Sequence, residues 1–184
     1  MNQNGRQVVL ETRDITKRFG GLTAVSSFSF QVKNGDISSL IGPNGAGKTT
    51  VFNVITGIYR PEAGQVIFND GNIEGLKPNQ IVAKGIARTF QNIRLFPNMT
   101  CLENIMAGQH CRARSGLWSS IFRTKSQRLE EKRIHEVAET RLKQVGLSHY
   151  RNELAKNIAY GNQRMLEIGR ALAVSYTHLT LPTN

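Results

Sequence analysis

The most informative stretch of this sequence reads Gly42-Pro43-Asn44-Gly45-Ala46-Gly47-Lys48-Thr49, with a second threonine, Thr50, directly after it. It fits the pattern G-x-x-x-x-G-K-[ST]. An apolar run at residues 37–41 comes before it, and residues 48–55 have the pattern of a helix. A strand, a glycine-rich turn and a helix are thus predicted in succession, which is the setting of a phosphate-binding loop, or P-loop.

Each residue type in this loop has a chemical reason. Glycines let the backbone curl so that successive N–H groups point at phosphate oxygens, and the start of a helix adds partial positive charge. Lys48 is placed to neutralise the β- and γ-phosphates of a nucleotide, and the hydroxyl of Thr49 can bind Mg²⁺. A plain glycine-rich turn is the alternative, but this pattern rarely arises by chance. We therefore predict binding of a nucleoside triphosphate.

Composition limits the classes of protein to which this chain could belong. The chain has 184 residues, of which 39% are hydrophobic and 20% charged, enough for one domain with a core. It has no apolar run of the roughly 20 residues that a membrane span needs. Its net charge of +11 suggests polyanionic partners, although the basic run at residues 112–133 is expected to be a solvated face. Cys101 and Cys111 are expected to be reduced and without function.

The pattern of elements changes along the chain. Strands are predicted at residues 8–13, 28–32, 65–68 and 86–90, with the P-loop helix between the second and third of these. Thr100 to Glu103 fits a capping box, so a helix should start there and run to about Gly108. Further helices are predicted at residues 126–145 and from about Gly161. An α/β nucleotide-binding core interrupted by a helical subdomain is the expected architecture.

Additional motifs resemble those of one family, the ABC ATPases. The loop with its flanks, residues 38–50, is similar to their P-loop, and Thr89-Phe90-Gln91 is similar to their Q-loop. Residues 158–164, Ile-Ala-Tyr-Gly-Asn-Gln-Arg, resemble their LSGGQ signature, with Ala159 in place of its serine and Asn162 in place of its glutamine. The resemblance implies a P-loop NTPase fold: a RecA-like ABC ATPase core with an antiparallel β subdomain and an inserted α-helical subdomain.

Within that family, residues 19–25, 87–96 and 157–163 are most similar to ATPases of branched-chain amino acid importers. An importer of another small hydrophilic solute, such as urea or an amide, is the main alternative. A nucleic-acid-associated ABC ATPase is suggested only by the positive charge, and few aromatic residues lie within the basic run. A binding-only regulator is a third alternative. We expect no direct contact with nucleic acid.

The resemblance also implies roles for particular residues. ATP with Mg²⁺ would be held by residues 42–50, with Lys48 and Gln91 catalytic and Thr49 and Gln91 on the metal. Phe19 stands where the family stacks adenine; an ordinary core aromatic is the alternative. A second ATPase subunit, identical or not, is implied, and this chain would contact the nucleotide bound to that subunit in trans. The residues implied in that contact are Ala159, Tyr160, Gly161, Asn162 and Gln163.

The family's partners and location follow from the same resemblance. The ATPase would bind transmembrane permease subunits through its helical part and act with a periplasmic solute-binding protein only indirectly. It would sit peripherally on the cytoplasmic face of the bacterial inner membrane, coupling ATP hydrolysis to solute uptake.

The expected domains are residues 1–91 for the first part of the core, 92–160 for the helical subdomain and 161–173 for the signature helix. The family's Walker B strand ends in Asp-Glu and should follow within about 20 residues, but neither Asp nor Glu occurs after Glu167. Residues 174–184 are expected to be a non-native tail derived from a sequencing adapter. The resemblance therefore implies a chain incomplete at its C-terminus that binds ATP without turning it over.

Overall fold

The computed structural model describes residues 7–109 and 125–174. They fall in two compact units, one ending at Ile81 and the other beginning at Val82. Gln91 and the signature helix therefore both belong to the second unit, whereas the sequence suggested domain limits at residues 91 and 160. Of the expected tail, Val174 is the last described residue and the remainder lies outside the described residues.

The first unit contains an antiparallel sheet. Its strands are β1 (Val8–Phe19), β2 (Leu22–Lys33), β3 (Ala63–Phe68) and β4 (Gly71–Asn72), in the order β2-β1-β3-β4. Helix α1 (Lys48–Ile55) follows β2, and α2 (Pro78–Lys84) follows β4. The sheet is the expected antiparallel β part, and α1 has the bounds predicted for the P-loop helix.

Strands β1 and β2 are longer than the sequence predicts because polar side chains accept backbone hydrogen bonds where the pairing of the two strands is irregular. Asp14 and Ser27 have φ angles of 48° and 45°, and the register shifts between Thr12 and Ile15. The N–H of Asp14 donates to the Ser29 hydroxyl at 2.9 Å, and the N–H of Ser27 donates to the Thr16 hydroxyl at 3.1 Å. These bonds replace ladder bonds at a β-bulge, so both strands continue through it.

The second unit is helical. It contains α3 (Cys101–Ala107), α4 (Lys125–Gln144), a 3₁₀ turn (Ser148–Tyr150) and α5 (Tyr160–Val174). The three helices enclose one apolar core, formed by Cys101, Leu102, Ile105, Ala138, Leu142, Val145, Leu147, Ala155, Ile158, Leu166 and Ala173. Burial raises the pKa of the Cys101 thiol, so this cysteine is inert, as expected; Cys111 lies outside the described residues.

The capping box at the start of α3 is confirmed. The Thr100 hydroxyl accepts from the N–H of Glu103 at 3.2 Å, and the Glu103 carboxylate accepts from the N–H of Thr100 at 2.8 Å. The backbone bond from Thr100, with a second one from its hydroxyl, lowers the pKa of Glu103. Because the folded pKa is the lower one, this contribution to stability is present at neutral pH and is lost as acid protonates the carboxylate.

Two strand predictions are wrong. Residues 37–41, before the P-loop, and residues 86–90, before Gln91, have no regular secondary structure. A strand exists only when a neighbour pairs with it, and the strands of the described sheet pair only with one another. Ile37 and Ile41 are consequently 99% and 89% exposed. The apolar pattern was correctly identified, but the described part of the chain provides no strand beside it.

Candidate functional site

The P-loop is built around glycines in the left-handed region. Gly45 and Gly47 have φ angles of 84° and 81°, and Gly47 is the N-cap of α1. A Cβ atom at Gly47 would lie 2.3 Å from the carbonyl oxygen of Ala24 and 3.2 Å from a methyl group of Val25. The loop therefore passes directly over the backbone of β2, and only glycine fits at this position.

The side chain of Lys48 folds back across the loop. Its ammonium group donates to the carbonyl oxygens of Gly42 and Pro43, each at 2.6 Å. The N–H of Ala46 also donates to Pro43, at 3.2 Å. These bonds hold the positive charge of Lys48 at the exposed loop, where it would attract an anion.

The start of α1 adds further anion-binding capacity. Val51 donates its N–H to the carbonyl of Gly47, so the N–H groups of Lys48, Thr49 and Thr50 precede the first helical hydrogen bond. The first turn contains no acidic residue that would oppose an anion. Residues 42–46 and Thr49 are exposed. The exposed loop thus brings together backbone donors, an ammonium group and an accessible hydroxyl, the groups that could accommodate a phosphate.

Phe19 lies at the end of β1, next to the Gly20-Gly21 turn. Its ring packs edge-on against Tyr59, with centroids 5.1 Å apart, and the Lys17 ammonium is 5.3 Å from its centroid. The ring is 43% exposed, so Phe19 is no ordinary core residue. An exposed aromatic ring of this kind is chemically suited to stacking against a planar ring such as a nucleobase. Tyr59, which supports it, was not identified from the sequence.

In the second unit, Gln91 is exposed and belongs to an irregular segment. The backbone carbonyls of Phe90 and Gln91 both accept hydrogen bonds from Arg164 of α5. The carbonyl of Arg94 accepts one from Arg170. The backbone of residues 90–94 is therefore attached to the helix that begins at the signature motif.

The signature residues divide into two groups. Ala159, Tyr160 and Gly161 are exposed at the start of α5, and Asn162 is half-buried. In contrast, Gln163 donates its side-chain amide to the carbonyls of Ala155 and Ile158, both at 3.1 Å. The side-chain amide of Gln163 therefore holds the loop that leads into α5.

Two charged residues of α5 were missed. Glu167 is only 2% exposed, and Arg164 pairs with it at 3.0 Å. The apolar residues Met165, Ile168 and Leu172 of the same helix are about two-fifths exposed, at 39%, 41% and 40%. The available signal was the i, i+3 spacing of opposite charges, which usually indicates only a surface pair.

Neither a metal cluster nor a membrane helix is found among residues 7–109 and 125–174. No three His, Cys, Asp or Glu side chains in these ranges are grouped to hold a metal ion. In the same part of the chain, no helix has the length and apolar character that crossing a membrane requires.

Known proteins of one family are similar to this chain. The model of the family described as ABC transporter matches residues 25–181. The branched-chain amino acid transport ATP-binding protein LivG of Escherichia coli is 44% identical over 166 residues, which cover 90% of this chain and 65% of LivG. BraF of Pseudomonas aeruginosa, which has the same description, is 43% identical over 164 residues, 89% of this chain and 64% of BraF.

Solved structures agree as well. The ATP-binding cassette of an ABC transporter in its ADP conformation is 35% identical, with a TM-score of 0.75, over 91% of this chain and 65% of that one. The chain thus spans just under two thirds of the length of these relatives. The P-loop NTPase fold of the ABC ATPase type is thereby confirmed, and the chain belongs to the ABC transporter family as an ATP-binding cassette protein.

Proposed function

We propose that this chain is the ATP-binding part of the motor subunit of an importer for branched-chain amino acids. The observation that carries the proposal is the P-loop, in which Gly47, the first turn of α1 and Lys48 form a cradle for phosphate. The likeness to LivG and BraF supports the solute class, since both are described as branched-chain amino acid transport proteins.

The chain's own residues divide the work of binding. Backbone N–H groups within residues 42–50, except at Pro43, which has none, would hold the phosphates, and Lys48 would move from the loop carbonyls toward the β- and γ-phosphates. The Thr49 hydroxyl and Gln91 would hold Mg²⁺, which when bound neutralises charge on the phosphates. Phe19 would stack against adenine.

Exposure of the α5 start supports a role for a second subunit. The N–H groups of Tyr160 and Gly161 and the helix dipole would meet the γ-phosphate on the partner ATPase. Ala159 lacks a hydroxyl, so backbone donors would make this contact. Asn162 would assist it.

The remaining partners are proposed by analogy with transport systems. Transmembrane permease subunits would bind the helical unit, and a periplasmic solute-binding protein would act through them. The protein would lie peripherally on the cytoplasmic face of the inner membrane. Hydrolysis is proposed for the whole subunit, since this chain spans just under two thirds of the length of its relatives.

Substitution of Lys48 tests the proposal. We expect Lys48→Ala to weaken binding of Mg·ATP by about tenfold or more, the effect of losing a charged hydrogen bond. Equilibrium dialysis with labelled ATP measures this directly. Lys77→Ala, a change of the same residue type outside the loop, is the control and should bind as wild type. Equal affinity of Lys48→Ala and wild type would refute the proposal.

A further inference from the structure

Glu167 is a buried carboxylate with a defined set of partners. One oxygen accepts from the N–H of Phe90 at 3.3 Å, and the other accepts from the guanidinium of Arg164 at 3.0 Å. A carboxylate with 2% exposure is costly unless it is paired and hydrogen-bonded. Its position therefore depends on both partners, one of which is backbone directly before Gln91.

Arg164 connects helix α5 to the backbone carbonyls of Phe90 and Gln91. Its guanidinium donates to the backbone oxygens of Phe90 and Gln91 while it pairs with Glu167. A guanidinium holds its donors in one rigid plane. The three acceptors that share the Arg164 guanidinium are therefore held in fixed positions relative to one another. The irregular segment gains the backbone partners that a strand would otherwise supply.

The contact continues to the signature motif. The guanidinium carbon of Arg164 lies 6.0 Å from the ring centroid of Tyr160, the first residue of α5. Tyr160, Arg164 and Glu167 are spaced at four and three residues, which places them along one side of the helix. A single arginine thus touches both the signature tyrosine and the backbone of Gln91.

We propose that Glu167 and Arg164 are positioning residues that fix Gln91 relative to the signature end of α5. The pair holds the backbone of Phe90 and Gln91 on the helix, so Gln91 and the start of α5 move as one body. The roles of Gln91 toward Mg²⁺ and of the signature toward a second nucleotide rest on the proposed function. The contacts of Glu167 and Arg164 with the backbone of Phe90 and Gln91, called the clamp from here on, all lie within the second unit.

Hydrogen–deuterium exchange on the whole 184-residue chain tests the clamp without nucleotide. We expect Glu167→Gln to speed exchange in residues 86–94 by about tenfold, since a hydrogen bond to a charged group is lost. Arg164→Lys, which keeps the charge but not the planar donor group, should speed exchange in the same residues. Glu136→Gln, on the exposed side of α4, is the matched control.

A merely structural role would give a different pattern. If Glu167 only stabilised the helical unit, exchange would rise together in α3, α4 and α5. That outcome, or unchanged exchange in residues 86–94 for both variants, would overturn the clamp.

A functional readout follows from the position of Gln91. The ratio of ATP affinity with and without Mg²⁺ should fall in Glu167→Gln toward its value in Gln91→Ala, while Mg²⁺-free binding stays unchanged. A wild-type ratio in Glu167→Gln beside a reduced ratio in Gln91→Ala would contradict the clamp alone. Absence of ATP binding in wild type would contradict the proposed function, and the exchange result would still decide the clamp.

Discussion

We expect Gly47→Ala to abolish binding of Mg·ATP and to destabilise the first unit. The added methyl group would lie 2.3 Å from the carbonyl oxygen of Ala24, a backbone atom that cannot rotate away. The left-handed φ of 81° costs alanine roughly 1–2 kcal/mol, and overpacking costs about 1–3 kcal/mol more. Calorimetric titration with Mg·ATP and urea unfolding measure the two effects.

Two other glycines separate these causes. Gly45 has a φ of 84° but open space around its Cβ position, so Gly45→Ala should show the cost of the backbone angle alone. Gly21 has open space and no left-handed angle, so Gly21→Ala should unfold as wild type does. Equal stability of the Gly47 and Gly21 variants would mean that the loop does not lie against β2.

Gly108→Ala should lower the unfolding free energy of the helical unit by about 1–3 kcal/mol. Gly108 ends α3 with an ordinary helical φ of −62°, so the cost is one of contact and not of backbone angle. A Cβ there would lie 2.7 Å from the carbonyl oxygen of Arg170 in α5. The two helix backbones would have to separate to admit it.

Gly169 provides the matched control, because it is also a glycine between α3 and α5. Its Cβ position meets side-chain methyl groups of Ile105 and Val145 at 3.1 Å and 3.2 Å, and no backbone atom is as near. Alanine also favours a helix interior by about 1 kcal/mol over glycine, so Gly169→Ala should destabilise the unit less than Gly108→Ala does. Urea unfolding compares both variants with wild type; a destabilisation larger for Gly169 than for Gly108 would contradict the described packing.

Local signals made the P-loop and the start of α3 predictable. The glycine pattern with Lys48 defines a loop whose bonds are nearly all within ten residues, and the Thr100–Glu103 box spans a single turn. Such features depend little on distant parts of the chain. The sequence therefore predicted both, including the bounds of α1.

Features that depend on distant partners were not predictable in this way. Residues 37–41 and 86–90 have strand-like composition, but strand formation requires a neighbour that composition does not reveal. Glu167 lies in the interior because Phe90 and Arg164 satisfy its carboxylate, and Phe90 is 77 residues away in sequence.

Nucleotide binding at the P-loop is tested by an NMR amide map of the chain during titration with Mg·ATP. We expect saturable shifts at the amides of Gly45, Gly47, Lys48 and Thr49, with a further shift at Phe19. The same titration of Lys48→Ala should leave these amides nearly unchanged. Wild-type loop amides that do not respond to saturating Mg·ATP would contradict nucleotide binding at this site, and with it the proposed role in transport.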